Sequence, residues 1–175
     1  MVPMKKLEQK YLALLGEAER RQLPDLESIR LCFQVLSLAS SIDRDCATLL
    51  APFGLSEGRF VLLFVLDAAD DGLAPNALAE QAGVTRATVT GLLDGLERES
   101  LIERHADAND RRSLNIRLTR KGKQMARKAF DQHGRWIASL FLHLSAQERK
   151  TLGGLLQKVA AGMAGRNDAA AGGRP

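Results

Sequence analysis

PNALAEQAGVTRATVTGLLDGLERESLIERHADANDRRSLNIRLTRKGKQMARK, residues 75–128, holds two helical patterns, a hairpin pattern and the start of another helix in one run. Pro75 suits the first turn of a short helix, and Gly83 ends that helix after Ala82. Thr85 has the chemistry of an N-cap, and Val89, Leu92, Leu93 and Leu96 follow at the spacing of one helical face to about Glu99. Two short helices joined by a glycine-containing turn make a helix-turn-helix. Leu101 to His105 then reads as a strand and Ala106 to Arg112 as a polar tip. Leu114, Ile116 and Leu118 alternate as the returning strand. The expected fold class is mainly α with a small β-hairpin wing, a winged helix-turn-helix.

In such a unit the second helix lies in the major groove with its N-terminal residues at the base edges. Here those residues are Thr85, Arg86, Thr88 and Thr90. Hydroxyls bond phosphates or bases, and Arg bonds guanine in two places. The blander alternative is that Thr85 only caps and the other threonines are ordinary surface. The hairpin tip favours the DNA reading. Arg111 and Arg112 on an exposed hairpin suit the narrow, electronegative minor groove, and Asp110 is placed to fix the direction of a neighbouring Arg. Residues 104–128 carry nine Arg/Lys against two acids, a net of +7, whereas the whole chain is only +4. Positive charge is therefore concentrated, as phosphate binding requires.

Outward from this run, apolar residues recur helically before and after it. Residues 1–23 read as a charged helical extension, with Leu7, Tyr11, Leu14 and Leu15 on one face. A long helix follows from about Asp25 to Leu50, ended by Pro52 and Gly54. Ser56 caps the next, whose centre, Phe60–Leu66, is apolar almost all round and is expected to be buried. Thr119 caps a helix to about His143. Ser145 and Glu148 form a capping box for a last helix to about Ala164, and residues 165–175 are expected to be disordered. A hydrophobic fraction of 45% with only 5% aromatics suits such a helical core.

The run Asp110-Arg-Arg-Ser-Leu-Asn-Ile-Arg-Leu-Thr119 resembles the D-x-R-x5-L-T wing motif of the MarR family of bacterial transcription regulators, and Gly122 follows where that family usually has one. The segments Leu78 to Thr85 and Leu96 to Arg104 resemble it as well. The resemblance implies a homodimer built by the terminal helices, residues 24–55 and 120–164, around two winged lobes of residues 56–119. Each lobe would have its recognition helix at about 85–99 and its wing at about 101–118. It also implies a pseudo-palindromic double-stranded operator, and repression relieved by a small aromatic acid or phenolic effector. Two departures stand out: Ser100 replaces the glycine that commonly closes the recognition helix, and Gly95 lies inside it at a cost of up to about 1 kcal/mol relative to Ala.

For the effector, the resemblance points to a pocket between dimer helices and DNA lobe. Its candidate residues are Leu36, Arg44, Arg59, Phe60, His133 and Trp136, with Arg59 facing a carboxylate. A redox alternative centres on Cys32. The surrounding Leu31-Cys32-Phe33 is similar to the organic-hydroperoxide-sensing branch of the family, but Leu36 and Cys46 stand where that branch has tyrosines. A buried, inert Cys32 is therefore expected. The two cysteines are fourteen residues apart on one helix, about 21 Å along its axis, too far to bridge within a chain. A non-specific architectural DNA-binding protein is a further alternative.

His105, His133 and His143 are scattered, so no metal site is expected, and no cofactor-binding motif is present. Without a Gly-rich phosphate loop, H-E-x-x-H or G-x-S-x-G, an enzyme is not expected. The longest apolar run is seven residues, which argues against a membrane span. The expected address is a bacterial cytoplasm, at the nucleoid.

Overall fold

Four hydroxyl side chains, Ser56, Thr85, Thr119 and Ser145, set where helices of this chain begin. The computed structural model describes residues 8–106 and 114–171. Its elements are α1 (Gln9–Arg20), α2 (Leu26–Leu50), α3 (Glu57–Asp67), α4 (Pro75–Ala82), α5 (Arg86–Arg98), β1 (Ile102–Ala106), β2 (Leu114–Leu118), α6 (Arg120–Ser139) and α7 (Ala146–Ala171). A 3-10 turn, Ala51–Phe53, follows α2. The chain divides into two units, residues 1–130 and 131–175.

In the first unit the caps are made as the sequence predicts. Ser56 Oγ accepts from Arg59 N, Thr85 Oγ1 from Thr88 N at 3.2 Å, and Thr119 Oγ1 from Gly122 N at 2.9 Å. Each satisfies an amide that the helix leaves without a partner. The core gathers Leu62 and Leu63 of α3, Leu78 of α4, Val89, Leu93 and Leu96 of α5, and Leu101 and Ile116 of the wing, all almost fully buried. Three helices and the wing root thus share one apolar centre, with α3 in its middle.

The expectation that the Phe60–Leu66 centre of α3 is buried is corrected at three positions, Val61 and Val65 being half-buried and Phe64 exposed. Phe64 is 43% exposed and stacks on Phe130 of α6, ring centroids 4.7 Å apart. Eleven residues of helix present every direction to their surroundings, and the lobe covers only part of them.

The wing strands pair antiparallel with Ile102 opposite Leu118 and Ala106 opposite Leu114. Leu73 adds a single antiparallel bridge to Ile116 outside the two-stranded sheet. The tip, residues 107–113, lies outside the described residues, and with it Asp110, Arg111 and Arg112.

The turn between α4 and α5 needs Gly83, whose φ is +66°. Val84 N reaches back to Ala79 O and Gly83 N to Glu80 O, closing the helix end. The end of α5 uses the same pattern, Leu101 N to Leu96 O and Ser100 N to Glu97 O, but with Ser100 at φ +56°. The departure from glycine therefore keeps the motif and places a side chain in the left-handed region.

The N-terminal extension packs on α2 within the same chain. Leu15 and Ala18 are buried, Tyr11 stacks on Phe33 at 5.1 Å, and Arg44 bonds Glu8 at 3.1 Å. Lys10 first, then Arg44 and Ser40, hold the Glu8 carboxyl at a pKa of about 2. Leu14 stays 53% exposed. Leu7 lies outside the described residues.

The cysteines reverse the expectation: Cys32 is exposed, and Cys46 is the buried one. Burial, then the carboxylates of Glu57 and Asp43, push the Cys46 thiol up. Apolar spacing along a helix shows that it has a buried face, not which residue of a polar–apolar boundary falls inside that face.

In the second unit, α6 ends at Ser139, short of the expected His143. The capping box forms, with Ser145 N donating to Glu148 Oε2 at 2.7 Å and Glu148 N to Ser145 Oγ at 3.3 Å. Helix α7 continues through Ala171, where a disordered tail from Gly165 was expected. The segment has no proline and ends in three alanines, the strongest helix former. Leu142, Leu155, Leu156, Val159 and Met163 are exposed. Among the described residues, no single helix is long and apolar enough to cross a membrane.

Candidate nucleic-acid interface

The first two turns of α5 present one polar surface. Thr85, Arg86, Ala87, Thr88 and Thr90 are exposed, while Val89 beneath them is fully buried. Alternation of this kind follows from the helical period: Val89, Leu93 and Leu96 seat the helix, and the opposite face is left for a partner. The structure thus brings together the four residues expected to read DNA. Their hydroxyls are also oriented. Thr85 Oγ1 and Thr88 Oγ1 are 2.9 Å apart, and Thr90 donates to Arg86 O at 3.0 Å. Thr90 Oγ1, whose proton goes to Arg86 O, keeps its acceptor lone pairs toward an incoming group.

The wing is fastened to this helix at its root. Arg104 on β1 pairs with Asp94 and, at 3.1 Å, with Glu97, both on α5. One of the nine positive charges is thereby engaged inside the protein. Thr119, the last residue of the wing motif, donates to Ser100 O at 2.8 Å while capping α6, and a Cβ at Gly122 would overlap Leu101 O. The Thr and Gly of the motif therefore join wing, α5 and α6 at a place too tight for a larger residue.

Arg117, Arg120, Lys123 and Lys128 are exposed around this root. Arg120, Lys123 and Arg127 line a groove of about 420 Å³ with Leu118 and Gln124. Arg127 also lies 3.9 Å from Asp67. A second cavity of about 320 Å³ is bounded by Glu57, Gly58, Val61, Ala82, Val84 and Leu92.

The residues expected to hold an effector are not gathered in either cavity. Leu36 is exposed on α2, Phe60 is buried in the lobe, and Arg44 bonds Glu8, Ser40 and Ser41. Arg59 is engaged by Glu99, its Nη1 donating to Oε1 at 2.7 Å. In the second unit the rings of His133 and Trp136 are 5.2 Å apart.

Sequence reasoning missed Asp94, Glu97, Glu99 and Lys121, which fix the recognition helix rather than touch a ligand. Lys121 Nζ donates to Glu99 O at 2.7 Å, where the helix leaves carbonyls free. The signal that could have found them is acidic Glu97 and Glu99 at a helix C-terminus, where the helix dipole disfavours them unless cations are near.

Such a lobe, with a seated helix-turn-helix, a hairpin wing and a polar outward face, defines the winged-helix class of transcription regulators. The family model described as MarR family matches residues 55–114. The HTH-type transcriptional repressor YetL of Bacillus subtilis is 32% identical over 155 residues, 86% of this chain and 93% of that protein. The transcriptional repressor MprA of Escherichia coli is 28% identical over 131 residues, 74% of this chain and 73% of that one. The MepR–DNA complex of Staphylococcus aureus matches with a TM-score of 0.66 at 27% identity, over 75% of this chain and 96% of that one. The chain belongs to the MarR family and is a transcription regulator, not an enzyme.

Proposed function

We propose that the protein is a dimeric cytoplasmic repressor, released from a pseudo-palindromic operator by a small aromatic acid or phenol. The observation that carries the DNA part is the exposed Thr85–Thr90 face on a helix whose opposite side is fully buried. MepR, of the same fold, is bound to DNA in its structure, and YetL and MprA are repressors. In this reading Thr85, Arg86, Thr88 and Thr90 meet bases and phosphates in the major groove, and Arg111 and Arg112, directed by Asp110, enter the minor groove. Dimerisation is supported by apolar side chains left exposed in one chain: Leu31, Val35 and Leu38 on α2, and Leu155, Leu156 and Val159 on α7.

The effector reading keeps Leu36, Phe60, His133 and Trp136 as candidate contacts, while Arg44 and Arg59 already hold carboxylates of the protein. The exposure of Cys32 favours a second reading, a thiol switch, enough to test it in the same experiment.

That experiment is DNA binding by the full chain and by Cys32→Ser, titrated with an aromatic carboxylate and separately with an organic hydroperoxide. Release of both proteins by the carboxylate is expected. Release of the unsubstituted protein alone by hydroperoxide would replace the ligand reading with the redox one. For base reading, Arg86→Ala should change sequence preference, and Arg112→Ala should weaken binding to all duplexes. An equal loss on every duplex for Arg86→Ala would remove it from the base-reading set.

A further inference from the structure

Recognition helix α5 crosses α3 through two reciprocal sockets. On α3, Gly58 receives the side chain of Leu92, and a Cβ there would stand 3.0 Å from Leu92 Cδ1. On α5, Gly95 receives the guanidinium of Arg59, and a Cβ there would overlap it. Each helix thus lends a side chain and each lends a glycine. At each glycine a side chain of the neighbouring helix fills the place of the missing Cβ.

Beyond the second socket the Arg59 guanidinium reaches Glu99, just past the end of α5, at 2.7 Å. The Arg59 side chain is 23% exposed and that of Glu99 41%, so the pair is shielded from water on the arginine side only. The guanidinium occupies the place of the missing Cβ at Gly95 with one part and donates to the carboxylate with another, which the single ammonium of a lysine cannot do. Glu99 sits at a helix C-terminus, a poor place for an acid. Arg59 offsets that from the side chain, and Lys121 does so from the backbone carbonyl.

We infer that Arg59, Gly95 and Glu99 form a lock that sets the angle and reach of the recognition helix, so that Arg59 is a positioning residue for DNA recognition and not an effector contact. The inference rests on the DNA-binding reading above. It follows from leverage. The lock holds the C-terminal half of α5, the DNA-facing residues lie at the other end, and a small rotation at the lock displaces Thr85–Thr90 from the base edges. Contacts to phosphates tolerate such a shift better than bidentate base contacts do. Loss of the lock should therefore lower preference for the proper sequence more than affinity for DNA in general.

The test uses the full chain and a duplex enriched from a random pool by the unsubstituted protein, with a scrambled duplex of equal length as reference. The ratio of the two affinities is measured for Arg59→Ala, Gly95→Ala and the double variant, well below each melting temperature. Each single substitution should lower the ratio roughly tenfold, and the double variant should lose no more than either one, because both remove one lock. By helix propensity alone Gly95→Ala raises stability and leaves the ratio unchanged, so the two explanations differ in outcome. A purely stabilising Arg59 would lower the melting temperature and keep the ratio. Retention of the ratio by Arg59→Ala or Gly95→Ala overturns the lock. Failure of the unsubstituted protein to enrich any duplex overturns the DNA-binding reading and the lock together.

Discussion

The lobe around α3 and the helix α7 are both rich in leucine, yet they treat it oppositely. In the lobe, Leu62, Leu63, Leu78 and Leu96 have no measurable exposure. On α7, Leu155 is 54% exposed and Val159 61%. One region is finished by its own chain, and the other presents an apolar surface that water does not favour. If that surface is where a second copy docks, as proposed above, folding stability and assembly reside in different parts of the sequence, and substitutions should separate them.

The largest effect is expected from Leu63→Ala, which opens a cavity at a fully buried position and should cost about 2–5 kcal/mol in denaturant unfolding. Leu155→Glu with Val159→Glu should leave that unfolding midpoint nearly unchanged in the monomer while weakening self-association by about 2 kcal/mol, roughly thirtyfold, in sedimentation equilibrium. If the pair instead unfolds the monomer, α7 is already covered within the chain and the contrast fails. A smaller gain should come from Ser100→Gly, which relieves a left-handed serine at the end of α5. An increase of about 0.5–1 kcal/mol, seen as a slightly higher melting temperature, is the expected result.

The smallest concerns α1. The depressed Glu8 carboxyl contributes its ion pairs in full above the ordinary carboxylate value of 4.5 and loses them as pH falls through about 2. The protection of α1 amides, taken relative to the intrinsic exchange rate at each pH, should accordingly stay constant from pH 7 to about 5 and decline only as pH falls toward 2. Protection that is already lost near neutral pH would mean that the Glu8 pairs do not hold α1 to α2.

The exposed polar face of α5 is legible in the amino-acid sequence because it depends on local rules: a cap at Thr85, a glycine turn at Gly83, and helical spacing at Val89 and Leu93. The capping box at Ser145 is legible for the same reason. The wing motif points to the family, and the relatives bear that out. What is not legible depends on distant partners. Gly95 reads as a defect in a helix because the side chain that fills its place comes from Arg59, far earlier in the chain. The pairing of Arg59 with Glu99 is hidden for the same reason. Cys32 and Cys46 share one helix, and only packing against other elements decides which of them water reaches. The end of α7 is ambiguous because a run of alanine and glycine suits both a loose tail and a helix.

The attachment of β1 to α5 by Arg104, and of the wing root to Ser100 by Thr119, has a bearing on the DNA itself. These contacts tie strand β1 to helix α5, so that a shift of one draws on the other. If α5 and the wing both meet DNA, as proposed above, the distance along the duplex between their two contacts is set by the protein, like the jaws of a set caliper. A site lengthened by one base pair between those two positions would have to twist to fit, and the energy of twisting would itself be read as sequence.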